Sequence, residues 1–353
     1  MLFFALLSRV SLVVTETFDA ALFGEGVLSA LSHAWRELLV PSPEGSVIPR
    51  GASLWIAPIE CADISRRYIL QNPHKSEHLL KMPPLNVSAE MTDPYDTENL
   101  LRVPGGFRLL AEPVKAFTVD FNSREDVEAH LNKETEISIS CNASGRFDAV
   151  AVWFDLTMDD IDVLTTRPIE GNHQRASCWE QAVFPQSSLR TVDEGSSLKL
   201  SVSNKDSRVE IRVLNEEEED KLVVPQDVVC FLNNFSWVEE FCKTADELFE
   251  MWEDLKSGTL ELMDLCPFPV LGLRFLSRCG KKSRWKMTCL ELSADHARLV
   301  KAVAAENGIP DSRIHFIKED GLPERMFHLI VWNFFDPKGE LDEKAIAQYP
   351  EIK

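Results

Sequence analysis

Ser11-Leu-Val-Val-Thr-Glu-Thr-Phe-Asp-Ala-Ala-Leu-Phe-Gly-Glu25 decides how the rest of this sequence is read. Ser11–Thr15 has the unbroken apolar character of a central parallel strand, covered on both faces, and Val10–Val14 is expected to be buried. Glu16 and Glu25, nine positions apart (25 − 16), bracket a loop that holds Asp19 and Gly24. Glutamate pairs at that spacing are common by chance, so the setting directly behind a buried strand is what narrows the choice. Gly26–Leu39, carrying His33 and Trp35, reads as an amphipathic helix. Pro41–Gly51 is a turn-rich connection and Ala52–Glu60 another strand. This succession matches the second half of a Rossmann-like sheet. A doubly wound domain would need about 30 residues per βαβ unit ahead of it, so the chain reads as starting part-way through its first module.

Further along, Cys61 to about Val103 is irregular and rich in Pro and charge, which suits an arm. From Gly105 to Leu214 short alternating stretches recur, among them Ala116–Phe121, Glu136–Cys141, Ala149–Leu156, Leu198–Ser203 and Val209–Val213. Turn-forming residues separate them, as in a barrel or sandwich. Glu216–Asp220 is an acidic run and reads as a solvated linker. Helical periodicity returns at Phe235–Leu255. Strands at Thr259–Leu265, Met287–Glu291, Arg313–Ile317 and His328–Trp332, with a helix at Asp295–Glu306, then predict a second Rossmann-like half. The chain stops soon after that fourth strand.

Composition narrows the function. At 353 residues there is room for two or three domains of roughly 100–200 residues. Acidic residues number 57 against 37 basic ones, a formal charge of −20; such a field repels nucleic acid and anionic lipid and attracts cationic partners. The eight cysteines form no C-x-x-C pair, which argues against a zinc ribbon and for reduced intracellular thiols, and no metal site is expected. Met1–Ser8 is apolar but lacks a basic n-region, and no run approaches the roughly 20 residues of a membrane span. No G-x-G-x-x-G follows a strand, which removes a nucleotide-binding dehydrogenase.

The Val13–Glu25 string resembles the double-glutamate loop of the protein arginine N-methyltransferases. Ser177-Cys-Trp-Glu-Gln-Ala-Val-Phe184 resembles the family's Thr-His-Trp loop, with Cys178 where many members carry histidine. Val103-Pro-Gly-Gly-Phe and Thr118-Val-Asp-Phe-Asn are similar to the family's two-module branch. The resemblance implies catalytic roles for Glu16 and Glu25, which would grip a guanidinium fork and aim one nitrogen at the methyl sulfonium of S-adenosyl-L-methionine. It implies substrate contacts from Asp19, Cys178 and Trp179, and it leaves open any His–Asp contact that the histidine would have made. Glu261-Leu-Met-Asp-Leu-Cys-Pro-Phe-Pro-Val270 sits where a cofactor strand and glycine loop would be, with Pro267 and Pro269 where close backbone approach favours glycine. Glu291, in Cys-Leu-Glu-Leu, is a candidate for gripping a ribose beside the plainer reading of a carboxylate opening a helix. Nine positions after Asp336 stands Ala345 instead of an acid.

The expected fold class is therefore α/β plus β: a partial Rossmann-like methyltransferase sheet (1–51), a β-barrel substrate domain (52–215) with an arm at about 61–103, a linker and helix (216–258), and a second, degenerate Rossmann-like module (259–353), truncated at both ends of the chain. The resemblance further implies arginine-containing basic protein substrates, splicing factors among them, no nucleic acid or membrane partner, a pseudo-dimer between the two complete modules, and a cytoplasmic or nuclear location. The alternative is a cofactor-less fragment or pseudoenzyme that holds an arginine segment or scaffolds a dimer.

Overall fold

A computed structural model describes residues 8–71, 79–171, 175–214, 221–252, 260–279, 284–318 and 326–332. The acidic run at 216–220, Asp336 and Ala345 lie outside the described residues. The chain divides into two compact units, one made of residues 1–65 and 91–218, the other of 66–90 and 219–353. The stretch expected to form an arm is thus shared between them. Asn86–Ala89 pairs in parallel with Lys221–Val224, which draws its neighbourhood into the second unit.

In the first unit, β1 (Leu12–Val14) pairs in parallel with β2 (Ser46–Ile48). The parallel pairing agrees with the sequence, but the expected burial does not. Leu12 is 48% and Val14 69% exposed, because among the described residues β2 is the only strand beside β1. An apolar run says what a strand tolerates, not which layer covers it. Helix α1 (Val27–His33), continued by a wider turn over Ala34–Leu38, connects the two strands.

β3 (Gly51–Glu60) is not a companion of β1. It lies inside an antiparallel sheet, between β4 (Val114–Asp120) and β6 (Ala149–Thr157). Its near-continuous apolar run reflects burial on both faces, a pattern that parallel and antiparallel strands share. β7 (Gln181–Pro185) extends this sheet beyond β6. β5 (Asn132–Ser140), β8 (Ser197–Lys205) and β9 (Arg208–Val213) form a second antiparallel sheet, in the order β9-β8-β5. Both sheets share one core, with Phe117, Phe154, Leu200 and Val202 buried in it, so the arrangement is barrel-like. Helix α2 (Arg124–His130) is capped by Ser123, whose hydroxyl accepts the Asp126 N–H at 3.2 Å.

Thr118-Val-Asp-Phe-Asn122 ties β2 to this barrel. The Val47 N–H donates to Asn122 Oδ1 at 2.7 Å, and the Trp35 indole donates to the Phe121 carbonyl at 2.9 Å.

The second unit holds a four-stranded parallel sheet of β10 (Glu261–Asp264), β11 (Lys286–Leu290), β12 (Ile314–Ile317) and β13 (Leu329–Val331), in the order β12-β11-β10-β13. With β10 counted as the first strand this is the order 3-2-1-4, that of a doubly wound α/β half. α5 (Val270–Arg278) follows β10 and α6 (Ala294–Glu306) follows β11, after α3 (Gln226–Asn233) and α4 (Phe235–Trp252). No described helix is long and apolar enough to cross a membrane.

Candidate functional site

The segment between β1 and α1 is less a loop than an apolar plug with charged ends. Phe18, Ala20, Ala21, Leu22 and Phe23 are all buried in the barrel core, which removes enough apolar surface from water to hold the segment down without regular structure. Two tight turns shape it: the Leu22 N–H donates to the Asp19 carbonyl and the Gly26 N–H to the Phe23 carbonyl, both at 2.9 Å. Leu22 takes a left-handed conformation at φ 76°, which costs a non-glycine residue on the order of 1 kcal/mol and is offset by its complete burial.

Glu16 and Glu25 stand at the two ends of the plug, both exposed. Among the described residues neither has a hydrogen-bond or ion-pair partner. Asp19, between them, is committed. Its Oδ1 accepts the Gly24 N–H at 2.9 Å, and its Oδ2 accepts the hydroxyl of Tyr95. Glycine at position 24 leaves room for this bond, since a Cβ there would lie 2.0 Å from Asp19 Oδ2 and push that carboxylate out of place. Burial, and then the bond to Asp19, raise the Tyr95 phenol above its ordinary range. The Tyr95 ring packs on Phe184 of β7, with centroids 5.2 Å apart.

Trp179 meets the same plug from the other side of the sequence. Its indole N–H donates to the Phe18 carbonyl at 2.9 Å, and its ring lies edge-on to Phe18 (6.3 Å) and Phe154 (5.7 Å). Cys178, its neighbour, is an exposed free thiol. Trp179 thus contacts the segment that carries Glu16, Asp19 and Glu25, although 161 positions separate it from Phe18. Sequence reasoning missed Tyr95, which falls in the irregular Pro-rich stretch and gives no periodic signal. It also missed the plug, whose Phe18-Asp-Ala-Ala-Leu-Phe23 sequence, apolar but for Asp19, could have announced burial.

In the second unit the loop that leaves β10 is closed by its own side chains. Leu265, Cys266 and Phe268 are buried, and so is the carboxylate of Asp264. Asp264 Oδ1 accepts the Cys266 N–H at 3.1 Å and Oδ2 the Gly272 N–H at 3.0 Å. Burial pushes its pKa up to about 6, against these two bonds. His296, wholly buried on α6, bonds through Nε2 to the Pro267 carbonyl at 3.0 Å, and burial brings its pKa down to about 4. Glu291 stands exposed just after β11, and its backbone N–H donates to the Ile317 carbonyl at 2.8 Å. Ser293, not Glu291, caps α6, accepting the His296 N–H at 3.0 Å. Among the described residues no three His, Cys, Asp or Glu side chains gather as a metal-binding group.

Residues 51–217 match the arginine methyltransferase oligomerization subdomain. Protein arginine N-methyltransferase 9 of Xenopus laevis is 41% identical over 204 residues, covering 53% of this chain and 24% of that protein. Its Homo sapiens namesake is 36% identical over 228 residues, covering 59% and 26%. The chain thus spans about a quarter of the length of the curated relatives it matches. A solved structure of the Trypanosoma brucei PRMT1 enzyme–prozyme heterotetrameric complex with AdoHcy overlaps 61% of this chain and 66% of that one, at 14% identity and a TM-score of 0.44.

Proposed function

The chain belongs to the protein arginine N-methyltransferase family, and from that premise we propose that Glu16, Glu25 and Trp179 form the arginine-holding site of a protein methyltransferase that uses S-adenosyl-L-methionine. The supporting observation is the anchoring of Trp179 on the Phe18 carbonyl, inside the segment whose two ends carry carboxylates without a partner among the described residues. A guanidinium is always charged at neutral pH and offers five donors in a rigid fork. Two carboxylates can take that fork bidentately and fix which nitrogen points away. Their negative charge also sustains electron density on the guanidinium as it becomes a nucleophile. The Trp179 ring offers a face for the cation. A basic, arginine-containing protein segment is the matching substrate for a chain of charge −20.

The loop behind β10 leaves a cofactor little room. Where a glycine turn behind β10 would admit it, Phe268 fills the space, and Asp264 spends both oxygens on its own loop. That favours, as a second reading, a chain that holds arginine segments without transferring methyl groups.

The experiment is a titration of the chain with a fluorescent arginine peptide and its lysine counterpart. Glu16→Gln and Glu25→Gln should each weaken arginine binding by roughly tenfold, because each replaces a charged acceptor with an amide that turns a donor toward donors. In the chain joined to an S-adenosylmethionine-binding module, each should slow methyl transfer about a hundredfold, or ~3 kcal/mol. Near-parental binding and rates in both variants would remove the arginine site. Transfer by the chain alone would remove the second reading.

A further inference from the structure

We infer that Tyr95 is a positioning residue which, through Asp19 and Gly24, sets the separation of Glu16 and Glu25. The inference rests on the arginine-holding site just proposed, and it moves Asp19 from the substrate to the frame. The geometry is specific. Asp19 lies three residues after Glu16 and Gly24 one before Glu25, so the bond from the Gly24 N–H to Asp19 Oδ1 joins the two ends of the segment directly. A carboxylate that bonded only this N–H could still swing about its Cα–Cβ bond. The Tyr95 hydroxyl takes the second oxygen and removes that freedom.

Tyr95 can do so because it is itself fixed. It is half-buried, and its ring rests on Phe184 within β7, a strand of the central antiparallel sheet. The neighbouring strand Asp96–Glu98 also pairs with β7, so the tyrosine stands on a rigid support. Gly24 completes the device, since a side chain there would displace the Asp19 carboxylate from its bond. The barrel-like layer thereby dictates the spacing of two carboxylates that have no hydrogen-bond or ion-pair partner among the described residues. A bidentate grip tolerates little error in that spacing, whereas a lone ammonium, a point charge with rotatable donors, tolerates much more. Tyr95 should therefore matter for arginine and not for lysine.

The test uses the full 353-residue chain and three variants: Tyr95→Phe, Asp19→Asn and the double substitution. Tyr95→Phe keeps the ring on Phe184 and removes only the hydroxyl. It should weaken arginine-peptide binding roughly tenfold, the worth of one hydrogen bond to a charged group, while lysine-peptide binding stays unchanged. The Gly24 amide should exchange with deuterium faster by a similar factor. The double variant should be no worse than the worse single one, because both act through one bond. Should Tyr95→Phe fail to fold, Asp19→Asn, which retains shape and ring contacts, carries the same two readouts. If the variants keep the parental arginine preference and Gly24 exchange while Glu16→Gln loses the preference, Tyr95 does not position the pair and the arginine site stands. If the parent chain itself does not prefer arginine to lysine, the site falls and this inference with it.

Discussion

The segment behind β1 and the loop behind β10 both leave a parallel strand, and they distribute their side chains in opposite ways. The first buries its apolar middle, Phe18 to Phe23, and leaves Glu16 and Glu25 in water at its ends. The second buries its acid, Asp264, together with Phe268. A buried carboxylate must use its oxygens on nearby N–H groups or lose its charge, and Asp264 does the former with Gly272 and Cys266 while its pKa rises. An exposed, unpartnered carboxylate bears no such cost and is open to a cation. The contrast separates an acid that shapes a loop from acids that a loop presents. Asp19 belongs with Asp264 in this respect, although it sits between Glu16 and Glu25.

The comparison can be broken most forcefully at Phe268. Phe268→Ala should cost about 3–5 kcal/mol, as a fully buried aromatic does when a cavity replaces it, read as a lower denaturant midpoint for the second unit. A loss below about 1 kcal/mol would mean that the loop is loosely packed and could open to a ligand.

A somewhat smaller effect separates Asp264 from its surroundings by pH. Its folded pKa, about 6, lies above the ordinary 3.8, so its contribution is fully present below the ordinary value and lost as pH rises through 6. His296 works the other way: its folded pKa of about 4 lies below 6.5, so its contribution is present above 6.5 and lost as pH falls through 4. Shifts of this size correspond to about 3 kcal/mol each, and between pH 4 and 6.5 they oppose one another. Asp264→Asn removes one arm. Relative to the parent, this variant should gain stability as pH rises from 4 to 6.5, measured by urea unfolding at several pH values. A difference that does not change with pH would show that Asp264 is solvated.

The smallest effects belong to the exposed residues of the first unit. Glu16→Gln, Glu25→Gln and Cys178→Ala should each leave the melting midpoint within the equivalent of about 0.5 kcal/mol, and Cys178→Ala should also leave arginine-peptide binding near the parental value. A larger stability loss for either glutamate would show that it braces the fold and is not held out for a ligand.

Much of the architecture was legible in the sequence because it is periodic. The strands at Ala149–Leu156, Leu198–Ser203 and Met287–Glu291 and the helix at Asp295–Glu306 each appear within a residue or two of the expected place. The errors concern neighbours. Ala52–Glu60 reads equally well as a parallel or an antiparallel buried strand, and Leu12–Val14 reads as covered when it has one neighbour among the described residues. At the candidate site, Glu16, Glu25 and Trp179 were singled out through the resemblance of their surroundings. Tyr95 was not, since nothing local distinguishes a tyrosine in an irregular stretch.

By itself, then, the sequence determined the element types, the acidic surface, the family resemblance and the chemistry available to the Glu16–Glu25 segment, because each depends on residue identity or on short-range spacing. Only the tertiary structure decided that Trp179 is anchored on Phe18, that the Tyr95 hydroxyl meets Asp19, and that Phe268 closes the loop behind β10. Those are contacts between residues far apart in the chain, or choices between water and core, and neither is encoded in any window of sequence short enough to read.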